Sequence, residues 1–299
     1  KTSWLLYDWC EMKKIIILIP VFNDWESLSK LIAETSLQIK NLKEYIFNYI
    51  IVNDGSTLAR PNIKVPDNID GIKIINMKTN KGHTTCIAYG IHHITQNEKF
   101  DKLILMDGDG EDRPEEIVTL IKKNLEKSNH SVVAKRVKRS EGILFKILYQ
   151  THKLITIIFA GKKINFGNFS LLTRDDLFLL SSKKNLWSSY SGTFKKYVKN
   201  YEEINSIRGK RYFGPSKMSI LKLLLHSFSI IAIFKYNVFL RSSFMIIMLA
   251  YLSFYMIKFS IIAQILIIIF NLMIFIISLK KNNLKINLDN FDKIENIPH

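Results

Sequence analysis

Asp107-Gly108-Asp109-Gly110-Glu111-Asp112 places four acidic side chains within six residues of a chain whose formal net charge is +17. An apolar run, 103–106, leads straight into them. Carboxylates crowded at a strand end repel one another unless a cation lies among them, and hard oxygen ligands suit a divalent ion. Alternate residues of an extended segment project to one side, so Asp107 and Asp109 can reach the same ion. Glycines at 108 and 110 let the backbone approach and turn. A calcium-binding EF-hand loop is excluded: its sixth position should be glycine and is Asp112, and its twelfth should be glutamate and is Val118. Taken alone, a solvated acidic turn would carry the same residues.

Three other polar clusters stand at comparable places. Pro20-Val21-Phe22-Asn23-Asp24 closes the apolar run 15–20, Asn53-Asp54-Gly55-Ser56-Thr57 follows the run 49–52, and Asn80-Lys81-Gly82 precedes a helix starting near Thr84. The elements that must position them are strands at 15–20, 49–52, 72–77, 103–106 and 131–134. Helices at 25 to about 45, from 84 to 93 or beyond, and from Pro114 onward separate them. Such alternation predicts an α/β fold, a mainly parallel sheet with helices on both faces. Ligands bind such sheets at the carboxyl ends of the strands, so the polar turns should meet at one edge.

In order and spacing the four motifs resemble the family 2 glycosyltransferases of the GT-A fold, over about residues 13–217. The resemblance implies that Pro20, Phe22 and Asp24 bracket a nucleotide base and that Asp54 accepts from its ring N–H, often a uracil. It places Lys81 near the phosphates, Asp107 toward ribose and metal, and Asp109 on the metal. Glu111 stands where related enzymes often carry glutamine or another polar ligand, so Asp107, Asp109 and Glu111 form the expected metal set for Mg2+ or Mn2+. Asn53 departs from the aspartate common at its place.

Ala134-Lys135-Arg136-Val137-Lys138-Arg139 follows the fifth strand. By type, Arg136 and Arg139 can clamp anionic oxygens, and a solvated basic loop would look alike. The arrangement resembles the polyprenyl-phosphate sugar transferase branch of the same family, where such arginines face phosphate. With Asp109 they are the residues expected to act on the reacting diphosphate. Gly167-Asn168-Phe169-Ser170-Leu171 sits where that branch has Gly-Asp-Phe-Arg-Leu, so Asn168 and Ser170 remove one charge of each sign. Arg208 to Lys217 resembles the branch's Arg-x-x-Gly-x-Ser-Lys segment and implies that Arg211 and Lys217 bind acceptor phosphate beside the lipid surface. A juxtamembrane basic patch on anionic lipid reads equally well from the residues alone.

From residue 218 the chain turns strongly apolar. Residues 221–234 are too short to span and read as an interfacial helix. Residues 242–257 and 259–279 are uncharged and read as a transmembrane hairpin, with a buried hairpin of a soluble protein as the alternative. The expected organisation is an N-terminal extension (1–12), a GT-A domain (13–217), a juxtamembrane helix (218–240), a helical hairpin (241–280) and a cytoplasmic tail (281–299). Lys235, Arg241, Lys280, Lys281 and Lys285 put both ends of the hairpin, and the catalytic domain, in the cytoplasm. That is the expectation for a multi-pass protein of a bacterial inner membrane. The basic excess is read as contact with membrane lipids, not nucleic acid, and the membrane helices offer a surface through which copies could associate. Two cysteines, Cys10 and Cys86, form no disulfide framework.

Some absences narrow the function. The Gln-x-x-Arg-Trp motif of processive polysaccharide synthases is missing. No separate carboxylate motif between 165 and 201 offers a general base, and a phosphate acceptor needs none. His83, His92 and His93 read as structural. The sequence therefore predicts a metal-dependent inverting transferase that moves sugar from a nucleoside-diphosphate sugar, UDP-linked in preference to GDP-linked, to a polyprenyl phosphate. The alternatives are a sugar hydroxyl on a lipid-linked glycan, and a non-enzymatic membrane-anchored binding protein.

Overall fold

A computed structural model of the chain describes residues 12–127, 130–138, 143–214, 220–282 and 291–299. Its centre is β1 (Lys13–Val21), uncharged after Lys14. Side chains of a strand leave alternately on its two faces, so an all-apolar strand needs cover on both. Ile16 and Leu18 pack with Ile50, Val52, Leu103 and Leu105 on one face. Ile15, Ile17 and Ile19 pack with Tyr49, Ile51, Ile104 and Met106 on the other. Each such isoleucine or leucine contributes about 1.5–3 kcal/mol by burial.

β2 (Tyr45–Asn53), β3 (Gly71–Met77) and β4 (Lys102–Leu105) complete the parallel core, with β4 and β2 flanking β1 and β3 beyond β2. The register sets Val21 beside Asn53, Asn53 beside Asn76 and Leu18 beside Leu105, so the following turns emerge at one edge. Past β4, the sheet continues through β6 (Phe166–Thr173), β5 (Ser131–Lys138) and β7 (Tyr201–Ile207). β6 is antiparallel to both β4 and β5, and β7 is parallel to β5.

α1 (Trp25–Ile39) and α3 (Glu115–Glu126) cover one face, while α2 (His83–Asn97), α5 (Arg174–Ser181) and α6 (Tyr190–Tyr197) cover the other. α1 stops short of the expected residue 45 because Tyr45 and Phe47 already belong to β2, paired with Lys13 and Ile15. α3 opens after Pro114 with Glu115 and Glu116 in its first turn, as the helix dipole favours. α4 (Ile143–Ile155) continues into a π-helical turn, Thr156–Ala160.

Three apolar helices follow: α7 (Ile220–Ala232), α8 (Lys235–Leu252) and α9 (Ile257–Asn282). The break between α7 and α8 bends the chain by 85°. Within α9, Ile257–Leu279 is long and apolar enough to cross a membrane, with a mean hydropathy of 2.8. Among the described residues α8 meets that criterion only when joined to the bent α7. α8 lies along α9, with Phe239 and Phe275 rings 6.3 Å apart. Their base belongs to the domain core: Ile231, Phe234, Val238 and Ile274 are buried with the α2-side cluster. Arg241 donates from Nη1 to the Ile158 carbonyl at 3.1 Å and ties α8 to the π turn.

The reading of 281–299 as a tail is corrected in part. β8 (Phe291–Ile297) adds to the sheet antiparallel to β3, with Ile75 opposite Ile294 and Ile74 opposite Glu295. Phe291 anchors it, its ring 6.2 Å from that of Tyr89. A seven-residue strand with four polar or charged side chains carries little period-two signal, which is why sequence pattern alone passes over it.

Candidate active site

The acidic turn seats against the end of β1. A Cβ on Gly108 would stand 3.1 Å from the Ile19 side chain and 3.4 Å from the Pro20 carbonyl, so glycine permits the approach. Asp107 Oδ1 accepts from the Asn168 amide at 3.2 Å and lies 2.9 Å from His83 Nε2. The Asp107 N–H donates to Asp112 Oδ2 at 2.9 Å, and Arg136 Nη2 lies 3.6 Å from Asp112 Oδ1. Arg136 reaches there across Gly167, where a Cβ would sit 2.8 Å from the guanidinium.

Burial opposes charge on Asp107, yet His83, Arg136 and the Asn168 amide hold its carboxyl well below the usual range. Burial and the neighbouring Asp107 push Asp112 up to about 7, against the pull of Arg136. Burial, Asp107 and Glu111 raise Asp109 to about 6. Burial also opposes a charge on His83, but Asp107 outweighs it and raises the imidazole.

Residues 208–214 form a strap across this turn. The Gly209 N–H donates to the Glu111 carbonyl at 2.8 Å and the Tyr212 N–H to the Asp109 carbonyl at 2.9 Å. Gly110, at φ +84°, leaves room for the Tyr212 ring. That ring stacks under Lys30 Nζ at 4.6 Å, and its hydroxyl bonds Glu34. Arg208 pairs with Glu111. Arg211 places Nη1 2.8 Å from Asp109 Oδ2 and bonds Asp24 Oδ2 through Nη2.

Most of the residues singled out in the sequence therefore gather at one edge, several with unexpected partners. Pro20 is buried at the end of β1, and Phe22 and Asp24 are half-buried beside it. Asp54, 3% exposed, directs Oδ1 to the Lys81 N–H at 2.7 Å and Oδ2 to the Gly82 N–H at 2.9 Å. It anchors that turn, where the sequence reading gave it a base to accept from. The Lys81 side chain is exposed. The Glu111 carboxylate pairs with Arg208, and its charge is felt at Asp109. Arg211, expected on the acceptor side, joins the expected base and metal residues. Arg139 and Lys217 lie outside the described residues.

Sequence reasoning missed four residues of this cluster: His83, Asp112, Asn168 as a partner of Asp107, and Arg208. The available signals were weak. His83 directly follows Asn80-Lys81-Gly82, and Asp112 is the last acid of the turn.

Among the described residues no three His, Cys, Asp or Glu side chains converge into a metal cage. Mg2+ is commonly held by one or two carboxylates plus substrate phosphates, without an all-protein cage. Asp107 and Asp109 supply that number. The upward shift of Asp109, and an arginine drawn onto it, mark a turn short of positive charge. Two such carboxylates fit a hard divalent ion.

A parallel core with polar turns at one edge, and an Asp-x-Asp after its fourth strand, defines a GT-A-like glycosyltransferase domain. The family model described as "Glycosyl transferase family 2" matches residues 16–213, and the chain belongs to this family of enzymes. Its relatives include the undecaprenyl-phosphate 4-deoxy-4-formamido-L-arabinose transferases of Salmonella choleraesuis (strain SC-B67) and Salmonella newport (strain SL254). Each is 25% identical over 228 residues, covering 73% of this chain and 67% of the relative. Within the family the chain thus groups with the polyprenyl-phosphate sugar transferases. Mannosyl-3-phosphoglycerate synthase from Rubrobacter xylanophilus shares the fold at a TM-score of 0.52 and 11% identity, covering 74% of this chain and 72% of that one.

Proposed function

We propose that this enzyme moves a sugar from a nucleoside-diphosphate sugar to a polyprenyl phosphate at a membrane surface. The observation that carries the reading is the Asp24–Arg211–Asp109 bridge, which joins the turns after β1 and β4 just ahead of the apolar helices. Asp107 and Asp109 would hold Mg2+ or Mn2+, which supplies neutralisation of the leaving diphosphate. Pro20, Phe22 and Asp24 border the base. Arg136 stands behind the acidic turn, and Arg211 is placed to exchange its carboxylates for phosphate oxygens. Asn168 fixes the Asp107 carboxylate toward His83. The acceptor phosphate is already an anion, so no separate base is required. Asp54 accepts from the Lys81 and Gly82 N–H groups with one bond to each oxygen, which leaves lone pairs for a base N–H, and a UDP-linked donor stays preferred over a GDP-linked one.

The return of β8 to β3 supports the membrane hairpin. Strands β1, β2, β3 and β8 lie in one sheet, so the chain leaves and re-enters on the same side. If α9 crosses the bilayer, α8 must take the chain across in the opposite sense. α8 and α9 are about 27 and 39 Å long at 1.5 Å per residue, against a hydrocarbon core of about 30 Å.

One observation favours a second reading, a sugar hydroxyl on a lipid-linked glycan. Ser170 is fully buried and 2.6 Å from the Tyr190 hydroxyl, so this strand presents no arginine to an acceptor phosphate. Vesicle-reconstituted enzyme given labelled UDP- and GDP-sugars separates the two readings. Label appearing on polyprenyl phosphate alone supports the first, and label appearing only when a lipid-linked glycan is supplied supports the second.

A further inference from the structure

The strand that returns after the membrane helices reaches toward the turns read above as the donor's base pocket. Glu295, on β8, accepts from Asn76 Nδ2 at 2.9 Å through Oε1 and from Arg60 Nη2 at 2.9 Å through Oε2. Asn76 Oδ1 in turn accepts from Asn53 Nδ2 at 2.8 Å. Asn53, only 8% exposed at the end of β2, accepts the Ser56 N–H on its Oδ1 at 3.0 Å. Ser56 Oγ accepts the Asn23 N–H at 2.8 Å. Asn23, between Phe22 and Asp24, sits at φ +51° and accepts from the Thr57 and Leu58 N–H groups at 2.8 and 3.0 Å.

The chemistry of this relay has a direction. An ionised carboxylate only accepts, whereas a carboxamide offers a donor end and an acceptor end. Glu295 therefore obliges Asn76 to turn its NH2 outward and its oxygen inward. That oxygen obliges Asn53 to present its own NH2, which leaves the Asn53 oxygen for the Ser56 N–H. The carboxylate sets the polarity of Asn76, and the Asn76 oxygen and the Ser56 N–H together set that of Asn53, in the turn that carries Asn53, Asp54 and Ser56. Arg60, further along the same loop, is tied to the same carboxylate.

We propose that Glu295 is a positioning residue for the donor-nucleotide pocket, acting from the strand beyond the membrane helices through Asn76 and Asn53. This rests on the reading of the turns after β1 and β2 as that pocket. It goes further by making the C-terminal strand part of donor recognition.

The test uses the full chain in vesicles, comparing wild type, Glu295→Ala, Glu295→Gln and, as a control on the same strand, Asn296→Ala. Each is first shown by its melting curve to be folded. Glu295→Gln keeps the size and leaves the amide polarity unforced, so it serves if the alanine variant fails to fold. Loss of the relay raises the donor KM and the Kd for the free nucleoside diphosphate together, by about fivefold, with kcat and acceptor KM changed by less than about twofold. Asn296→Ala should match wild type. A folded Glu295 variant with wild-type donor KM and wild-type nucleotide Kd overturns the inference, since a mere sheet edge would lower the melting temperature and leave both constants alone. A fall in kcat at unchanged donor KM overturns it too. If wild type itself binds no nucleoside diphosphate, the donor-pocket reading fails, and the inference falls with it.

Discussion

Arg211 Nη1 lies 2.8 Å from Asp109 Oδ2, in the place where the sequence leads one to expect a metal ion. The other arm of the same guanidinium holds Asp24, so one cation bridges the turns after β1 and β4. A planar fork can bond two carboxylates at once, which a lysine ammonium does less well. Arg211→Ala should therefore loosen the strap and lower transfer by about a hundredfold, the range found for removing a charge-stabilising donor. Arg211→Lys should recover little of it. Limited trypsin cleavage at Lys210 checks the loosening of the strap, and initial-rate assays check the loss of transfer. Wild-type cleavage rates and turnover in Arg211→Ala would remove the strap from the account.

The acidic cluster gives the metal-free protein a pH dependence of definite sign. Asp112 is raised to about 7 and Asp109 to about 6, while unfolded aspartates titrate near about 4. The folded state thus binds more protons than the unfolded state between about pH 4 and pH 7. The stability these groups contribute is complete below about pH 4 and is lost as pH rises through 6 to 7. Metal-free enzyme should melt lower at pH 7.5 than at pH 5.5, and Asp112→Asn should narrow the gap. Calorimetry at the two pH values measures it, and an equal gap in both proteins would contradict the assignment.

Ser170 and Tyr190 are a buried polar pair, 2.6 Å apart, filling the position where the branch pattern carries arginine. Ser170→Ala leaves the tyrosine hydroxyl short of a partner and should cost about 1–3 kcal/mol. Chemical denaturation should show that loss, with turnover at low temperature kept. Ser170→Arg, which restores the branch residue, should destabilise more, because here it buries an unpaired charge.

The sequence showed the sheet well where strands are buried on both faces, since 15–20 and 103–106 are unbroken apolar runs. The four polar turns then followed from where those strands end. Less visible were interactions made at long range. Arg211 meets Asp24 across 187 positions, and Glu295 meets Arg60 across 235, neither marked by any local pattern. Asp54 shows a subtler limit. Its type and place were right for the site edge, but only the fold reveals that backbone N–H groups take both its oxygens.

The same-side return of β8 makes the topology testable. A cysteine at Ser253, between α8 and α9, should react with an impermeant maleimide only from the side opposite the catalytic domain. A cysteine at Pro298 should react only from the catalytic side. Labelling of both from one side would mean that the hairpin does not cross.

If the turn after β4 serves sugar transfer to a lipid phosphate, transfer must depend on its carboxylates and on a divalent ion. The most direct test is single-turnover transfer from a labelled nucleotide sugar to polyprenyl phosphate in vesicles, with Mg2+ or Mn2+ and then with excess chelator, for wild type and Asp109→Ala. Wild type with metal should yield labelled lipid, and chelator or the variant should lower the yield at least about a hundredfold. Wild-type yield in chelator, or from Asp109→Ala, would contradict that dependence.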